Sequence, residues 1–168
     1  CNALVTGGAS GIGAAIAAEL AARGARVAVA DRAGPADITT DLSHPGSAGQ
    51  MVAGAVEHLG GLDLLVNNAG GYTTPTYPAN DDWRAPLELN LLSVMEAIKR
   101  ALPSLARRPG CVVNIASSAG QGSDVYRGVE YAVAKAGVIR LTTALGTVEG
   151  VRVNGISPHT VATPAVLA

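Results

Sequence analysis

The chain of 168 residues contains no phenylalanine and only 3% aromatic residues, so any core it builds is aliphatic. Its two cysteines, Cys1 and Cys111, are too few for a disulfide framework or a zinc site. Free thiols suit a reducing compartment, and the cytoplasm is the expected location. No stretch approaches the roughly 18 uncharged apolar residues of a membrane span. No charged-then-apolar leader is seen either, because the chain starts directly in the strand-like run Ala3-Leu4-Val5. There is no basic block: 12 Lys and Arg stand against 13 Asp and Glu, a net charge of −1, which gives nucleic acid no electrostatic footprint. Charge of both signs is scarce, at 15%, while 48% of residues are apolar, a balance that excludes disorder. His44 and His58 have no Cys, Asp or Glu clustered at ligand spacing, so no metal site is expected.

What the chain does have is 21 glycines and an alternation of short apolar runs with helical patterns. Strands are expected over 3–6, 26–30, 38–40, 63–66, 111–116 and 151–156. Helices are expected over 12–22, 46–59, 81–105 and 126–148, the third irregular at Pro86 and ended by Pro103 and Pro109. Residues 71–80, with two Pro and three Thr, read as a loop. Strands apolar on both faces, separated by helices, imply a parallel sheet covered on both sides. Right-handed crossovers then make a Rossmann-like, doubly wound, three-layer α/β/α fold in a single domain, 1–168, the simplest arrangement.

Between the first strand and the first helix runs Thr6-Gly7-Gly8-Ala9-Ser10-Gly11-Ile12-Gly13. Glycines at such a joint allow a tight turn, close approach of a pyrophosphate to the backbone, and packing of helix on strand. The helix start adds unpaired N–H groups and the positive end of a dipole. Gly7, Ser10, Gly11, Ile12 and Gly13 are therefore candidates to hold a dinucleotide, although a turn of this composition also serves purely structural ends. Asp31 closes the second strand eighteen positions past Gly13, near the ~20 expected of a carboxylate that bonds the adenosine ribose. A carboxylate there repels a 2′-phosphate, so NAD is preferred; NADP is the alternative, which Arg32 beside it would partly accommodate. Tyr131 and Lys135 lie four apart, one helical turn, and so share a face. A phenol titrates near 10 and is a poor acid or base at neutral pH, but an adjacent ammonium stabilises its anion. Taken alone, such a pair is common on helix surfaces.

Three motifs in order, TGxxxGxG at Thr6 to Gly13, Asn67-Asn68-Ala69-Gly70, and YxxxK at Tyr131 to Lys135, resemble the classical short-chain dehydrogenase/reductase family. The resemblance covers essentially the whole chain. It implies that Tyr131 is the catalytic acid/base, and that Lys135 supports it and clamps the nicotinamide ribose, against which Tyr131 also lies. Ser117 matches the serine that bonds the substrate oxygen, with Ser118 as the alternative. Asn90, in Glu88-Leu89-Asn90, matches the asparagine that holds a water in a proton relay from the lysine. Asp41-Leu42 matches the pair that meets the adenine, and Asn68, Ala69 and Gly70 the segment lining the adenosine side. Pro158-His159-Thr160-Val161-Ala162-Thr163 resembles the PGxVxT loop, whose Pro158, Val161 and Thr163 face the nicotinamide; His159 stands where the family has glycine, and would be strained if that position needs positive φ.

The resemblance further implies an oxidoreductase interconverting a secondary alcohol and a ketone, with a small-molecule substrate. It implies a homo-tetramer or homo-dimer pairing through the helices at 81–105 and 126–148. The runner-up is an NADPH-dependent ketoreductase of the 3-oxoacyl-carrier-protein type; the rival from another class is a catalytically silent dinucleotide-binding protein. Family members continue past the strand-six loop with a substrate lid and a further strand, so the 168 residues are expected to lack both.

Overall fold

The computed structural model describes residues 1–71, 83–122 and 128–163. The apolar runs pair in register into one sheet of order β3-β2-β1-β4-β5-β7-β6. Its strands are β1 (Asn2–Thr6), β2 (Arg26–Asp31), β3 (Ile38–Thr39), β4 (Leu64–Asn67), β5 (Cys111–Ile115), β6 (Thr147–Val148) and β7 (Val151–Ile156). Every neighbouring pair is parallel except β6 on β7. Ala3, Leu4 and Val5 are fully buried, as a strand with apolar side chains on both faces must be when both faces are covered. The register sets Thr6 beside Ala30, Asn67 beside Asn114, and Asn114 beside Gly155, so the carboxyl ends open along one edge. The direction of winding reverses between β1 and β4, which is where open α/β sheets form their ligand crevice.

The two layers over the sheet are unequal. One face carries α2 (Ser47–Leu59), α4 (Ser93–Leu105) and α5 (Val129–Leu145), whose apolar residues at helical spacing, among them Met51, Val52, Ala55, Ile98, Leu105 and Val138, bury against Leu4, Leu65 and Val112. On the other face, among the described residues, α1 (Gly11–Ala22) packs alone over Val5, Val66 and Ile115, with Val27, Val29, Leu64 and Val113 only partly buried around it. The Rossmann-like, doubly wound, three-layer arrangement expected from the pattern is present, with the layer of α1 the thinner of the two. On the β2 side, beside Val27 and Val29, the cause is visible in the chain: only residues 32–37 link β2 to β3. A parallel crossover with its own helix needs about a dozen residues or more.

Two expectations are corrected. The helix expected over 126–148 is α5, ending at Leu145, and Thr147–Val148 form an edge strand instead. Glu149 and Gly150, at φ 50 and 79, turn that strand back onto β7, in the backbone region two-residue hairpins require. Pro103 does not end its helix; it sits inside α4, two residues short of the end, where the lost donor concerns a single exposed turn. Upstream, α3 (Arg84–Leu87) begins the helical run, with Pro86 in its first turn, where a missing N–H costs nothing, and a π turn (Glu88–Leu92) joins it to α4. Residues 72–80, most of the expected loop, and 81–82 lie outside the described residues.

Candidate active site

The glycine turn and the segment after β4 flank the switch point and are tied to each other. The Thr6 hydroxyl oxygen accepts from the N–H groups of Asn68 and Ala69 at 3.0 and 2.9 Å. The Asn68 amide donates to the carbonyls of Thr6 and Gly7 at 2.9 and 3.1 Å. Gly13 lies so close beneath that a Cβ on it would stand 2.1 Å from the Gly7 oxygen and 2.4 Å from Asn68 Nδ2. Only glycine allows α1 to start there. Ser10 takes the N-cap position in extended conformation without a side-chain cap bond. The first-turn N–H groups of α1, which have no partner within a helix, are thus left for an acceptor outside it. This bare backbone cradle fits a pyrophosphate.

Asp31 stands at the end of β2 beside that cradle. One of its oxygens accepts from Ala9 N–H at 3.0 Å and the other from Arg32 N–H at 2.7 Å, so backbone donors fix the carboxylate's orientation. The side chains of Asp41 and Leu42 are engaged locally and in the core. Asp41 accepts from the Ser43 N–H and hydroxyl at 2.9 and 2.7 Å; these bonds, more than the charges of His44 and Arg32, hold its carboxyl below the ordinary value. The Leu42 side chain belongs to the core.

The catalytic candidates gather where β5, α5 and the π turn meet. Ile115 ends β5, and two backbone bonds, Ala116 N–H to Ile156 O and Ser118 N–H to Pro158 O, tie the next residues to the end of β7. Ser117 lies between those ties and caps a short 3₁₀ turn (Ser118–Gly120), its hydroxyl oxygen accepting from Ala119 N–H at 3.2 Å. That turn packs on α5 so closely that a Cβ on Gly120 would stand 2.5 Å from Ala136 N. Ser117 is thereby brought to the stretch of α5 bearing Tyr131 and Lys135. Lys135 is 3% exposed, and its ammonium donates to Ile115 O at 2.9 Å and lies 5.7 Å from the centroid of the Tyr131 ring. Burial brings its pKa down from 10.5 to about 8. Asn90 is fully buried in the π turn. Its amide donates to Gly71 O and Pro86 O, both at 2.9 Å, and its Oδ1 accepts from Gly71 N–H at 3.1 Å. Gly70 fits between Asn90 Oδ1 and Lys135 Nζ, which would stand 2.8 and 3.2 Å from a Cβ placed there.

The loop after β7 closes the crevice from the far side. Gly11, Ile12, Pro158, Val161 and Thr163 wall one end of an open cavity of about 680 Å³ between α1 and this loop, which runs on along α1 past Ala15, Ile16 and Leu20. His159 is exposed, and among the described residues other than glycine only Glu149 has positive φ, so histidine is accommodated here without backbone strain. Sequence reasoning missed the parts played by main-chain groups, such as the Ile115 carbonyl that receives Lys135, because carbonyls carry no residue signature. It also passed over Thr142, which bonds Asn114.

The chain is similar to known proteins along nearly its whole length. The family model for short chain dehydrogenase matches residues 1–167. The chain is 35% identical to L-fucose dehydrogenase of Bos taurus, covering 96% of this chain and 66% of that one. It is 33% identical to meso-2,3-butanediol dehydrogenase of Serratia marcescens, covering 95% and 71%. A solved variant of actinorhodin polyketide ketoreductase with NADPH superposes with a TM-score of 0.84 at 33% identity, over 97% of this chain and 71% of that one. The present chain thus spans about two thirds to seven tenths of these relatives. The chain belongs to the short-chain dehydrogenase family and is an oxidoreductase of the NAD(P)-dependent kind that interconverts alcohols and ketones.

Proposed function

We propose that Tyr131 is the acid/base of this reaction, that Ser117 holds the substrate oxygen, and that Lys135 serves both Tyr131 and the cofactor ribose. The observation that carries this reading is the buried ammonium of Lys135, fixed on Ile115 O and 5.7 Å from the Tyr131 ring. A cation so placed lowers the energy of the phenolate left when Tyr131 gives up its proton. A nicotinamide dinucleotide bound over the glycine turn supplies the hydride acceptor and donor. The Ser117 oxygen already accepts from Ala119, which leaves its own proton directed elsewhere, toward a carbonyl or carbinol oxygen. Both amide protons of Asn90 are committed to Gly71 and Pro86, so a water relaying protons from Lys135 is held by an oxygen of Asn90. Gly7, Ser10, Gly11, Ile12 and Gly13 cradle the pyrophosphate; Asn68, Ala69 and Gly70 line the adenosine side; and Pro158, Val161 and Thr163 meet the nicotinamide. Adenine lies toward the backbone at Asp41 and Leu42. Turnover of 2,3-butanediol, L-fucose and 3-hydroxybutyrate with NAD, substrates suggested by the relatives' names, tests the reading; a folded protein inert on every secondary alcohol and ketone would count against it.

NAD is the cofactor we favour because the Asp31 carboxylate, held at the end of β2 by Ala9 and Arg32 N–H groups, would repel the 2′-phosphate of a dinucleotide bound over the glycine turn. The second reading, an NADPH-dependent ketoreductase, is favoured by the likeness to the polyketide enzyme with NADPH. Fluorescence titration separates them. NADH is expected to bind at least tenfold more tightly than NADPH, and Asp31→Ser to erase most of that preference; tighter NADPH binding by the unaltered protein would select the ketoreductase.

A homo-dimer or homo-tetramer is supported by apolar side chains left in water on adjoining helices: Leu92 and Met95 are 45% exposed and Val133 49%. Met95→Glu is expected to lower the sedimenting mass to that of a smaller assembly, whereas an unaltered protein that sediments as a monomer would remove the proposal. Free Cys1 and Cys111 support a cytoplasmic location, which cell fractionation would check. No helix among the described residues is long and apolar enough to cross a membrane.

A further inference from the structure

A chain of buried amides crosses the sheet beneath the catalytic helix and takes no part in the chemistry proposed above. Asn67 of β4 donates to Asn114 Oδ1 of β5 at 2.9 Å; Asn114 donates to Thr142 Oγ1 of α5 at 2.9 Å; and the Thr142 hydroxyl donates to Val138 O at 2.7 Å. Asn114 is wholly buried and Asn67 nearly so, which shields the bond between them from water, while Thr142 is half-buried. Thr142 lies seven residues, two turns, past Lys135 on the same face of α5. The helix is therefore pinned to consecutive residues of one strand, Thr142 on Asn114 and Lys135 on Ile115 O. The contact is close because the residue opposite Asn114 is Gly155, where a Cβ would stand 3.2 Å from Thr142 Cγ2. The neighbouring Thr143 makes the same intrahelical bond, to Ile139 O at 3.0 Å, but is exposed and has no asparagine.

We infer that Thr142 is a positioning residue, which sets the depth of α5 against β5 and thereby holds Lys135 Nζ at the Ile115 carbonyl. This rests on the role proposed for Lys135, but its test does not pass through catalysis. The sequence contains two lysines, Lys99 and Lys135, and Lys99 is exposed, so ε-¹³C-lysine NMR of the cofactor-free protein resolves the titration of Lys135, with Lys99→Arg confirming the assignment. Tyr131 and Glu130, in the preceding turn of the helix, are left intact in every variant. Thr142→Val leaves Asn114 Nδ2 without its acceptor, and α5 is expected to ride outward, admitting water to Lys135 and moving its titration upward by half a pH unit or more. Thr142→Ser restores the original titration, and Thr143→Val leaves it unchanged. Gly155→Ala, pressing on Thr142 from the strand side, is expected to move it in the same direction and serves if Thr142→Val does not fold. A folded Thr142→Val or Gly155→Ala protein with the parent's Lys135 titration would overturn the inference while leaving the Lys135 role standing; that role fails separately if Lys135→Met keeps full turnover.

Discussion

Lys135→Met is expected to make the cofactor-free protein more stable at pH 7 and to lower turnover about 10²–10⁴-fold. The two effects have one origin. The ammonium is 3% exposed and has Ile115 O as its hydrogen-bond acceptor, so the native state holds a charge that its surroundings oppose. The native pKa of about 8 against 10.5 in the unfolded chain corresponds to about 3 kcal/mol of destabilisation when the lysine is protonated. The sign follows from proton counting. Below pH 8 both states hold the proton and the full penalty is present. Between about 8 and 10.5 the unfolded chain keeps the proton that the native protein has released, so native stability climbs with pH. Methionine fills a similar volume without charge, and replacing a buried ion by a packed apolar side chain stabilises by about 1–3 kcal/mol. Urea unfolding of both proteins at pH 7 and pH 10 reads this directly: the variant's advantage at pH 7 should shrink markedly at pH 10. An advantage independent of pH, or a variant weaker than the parent at pH 7, would show that the buried charge is not the source.

Tyr131→Phe is the second large effect. The substitution removes one oxygen from a half-buried ring and leaves the glycine turn, Asp31 and Lys135 untouched, so stability and cofactor binding should change little. Positioned proton transfer accounts for about 10²–10⁴ in rate, and turnover should fall by at least that much. The loss should appear in kcat with KM nearly constant, as when an interaction made only at the transition state is removed. Ser117→Ala should lose less, because the Tyr131 hydroxyl still reaches the substrate oxygen.

The sheet was legible because its strands are apolar on both faces, a pattern that α1, α2 and the sheet order then had to satisfy. The glycine turn was legible for a related reason: at Gly13 the backbone itself leaves no room for any other residue. The helix end at Leu145 was not, because Gly146 and the turn at Glu149-Gly150 act together, and the short pair Thr147-Val148 reads equally well as helix or strand. The thin covering over β2 follows from the six-residue link after Asp31, a matter of length that hydrophobic periodicity does not report. Within the site, spacing put Tyr131 and Lys135 on one helix face, but their roles and that of Ser117 came only from the resemblance to the family. Asn90 could be located but not its bonds, since these run to carbonyls of Gly71 and Pro86. Thr142 carried no signal, as one of two adjacent threonines whose difference lies wholly in what the sheet presents to them.

The most direct test of the whole account compares rates of NADH formation from a saturating secondary alcohol by the parent protein and by Tyr131→Phe, at NAD concentrations that saturate both. Alcohol-dependent NADH should accumulate with the parent and form at least about 10²-fold more slowly with the variant, while NADH titration gives the two proteins matching affinities. A variant that turns over alcohol at the parent's rate would show that the proton leaves by another group, and the site assembled here around Lys135 and Ile115 would not be the one that performs the reaction.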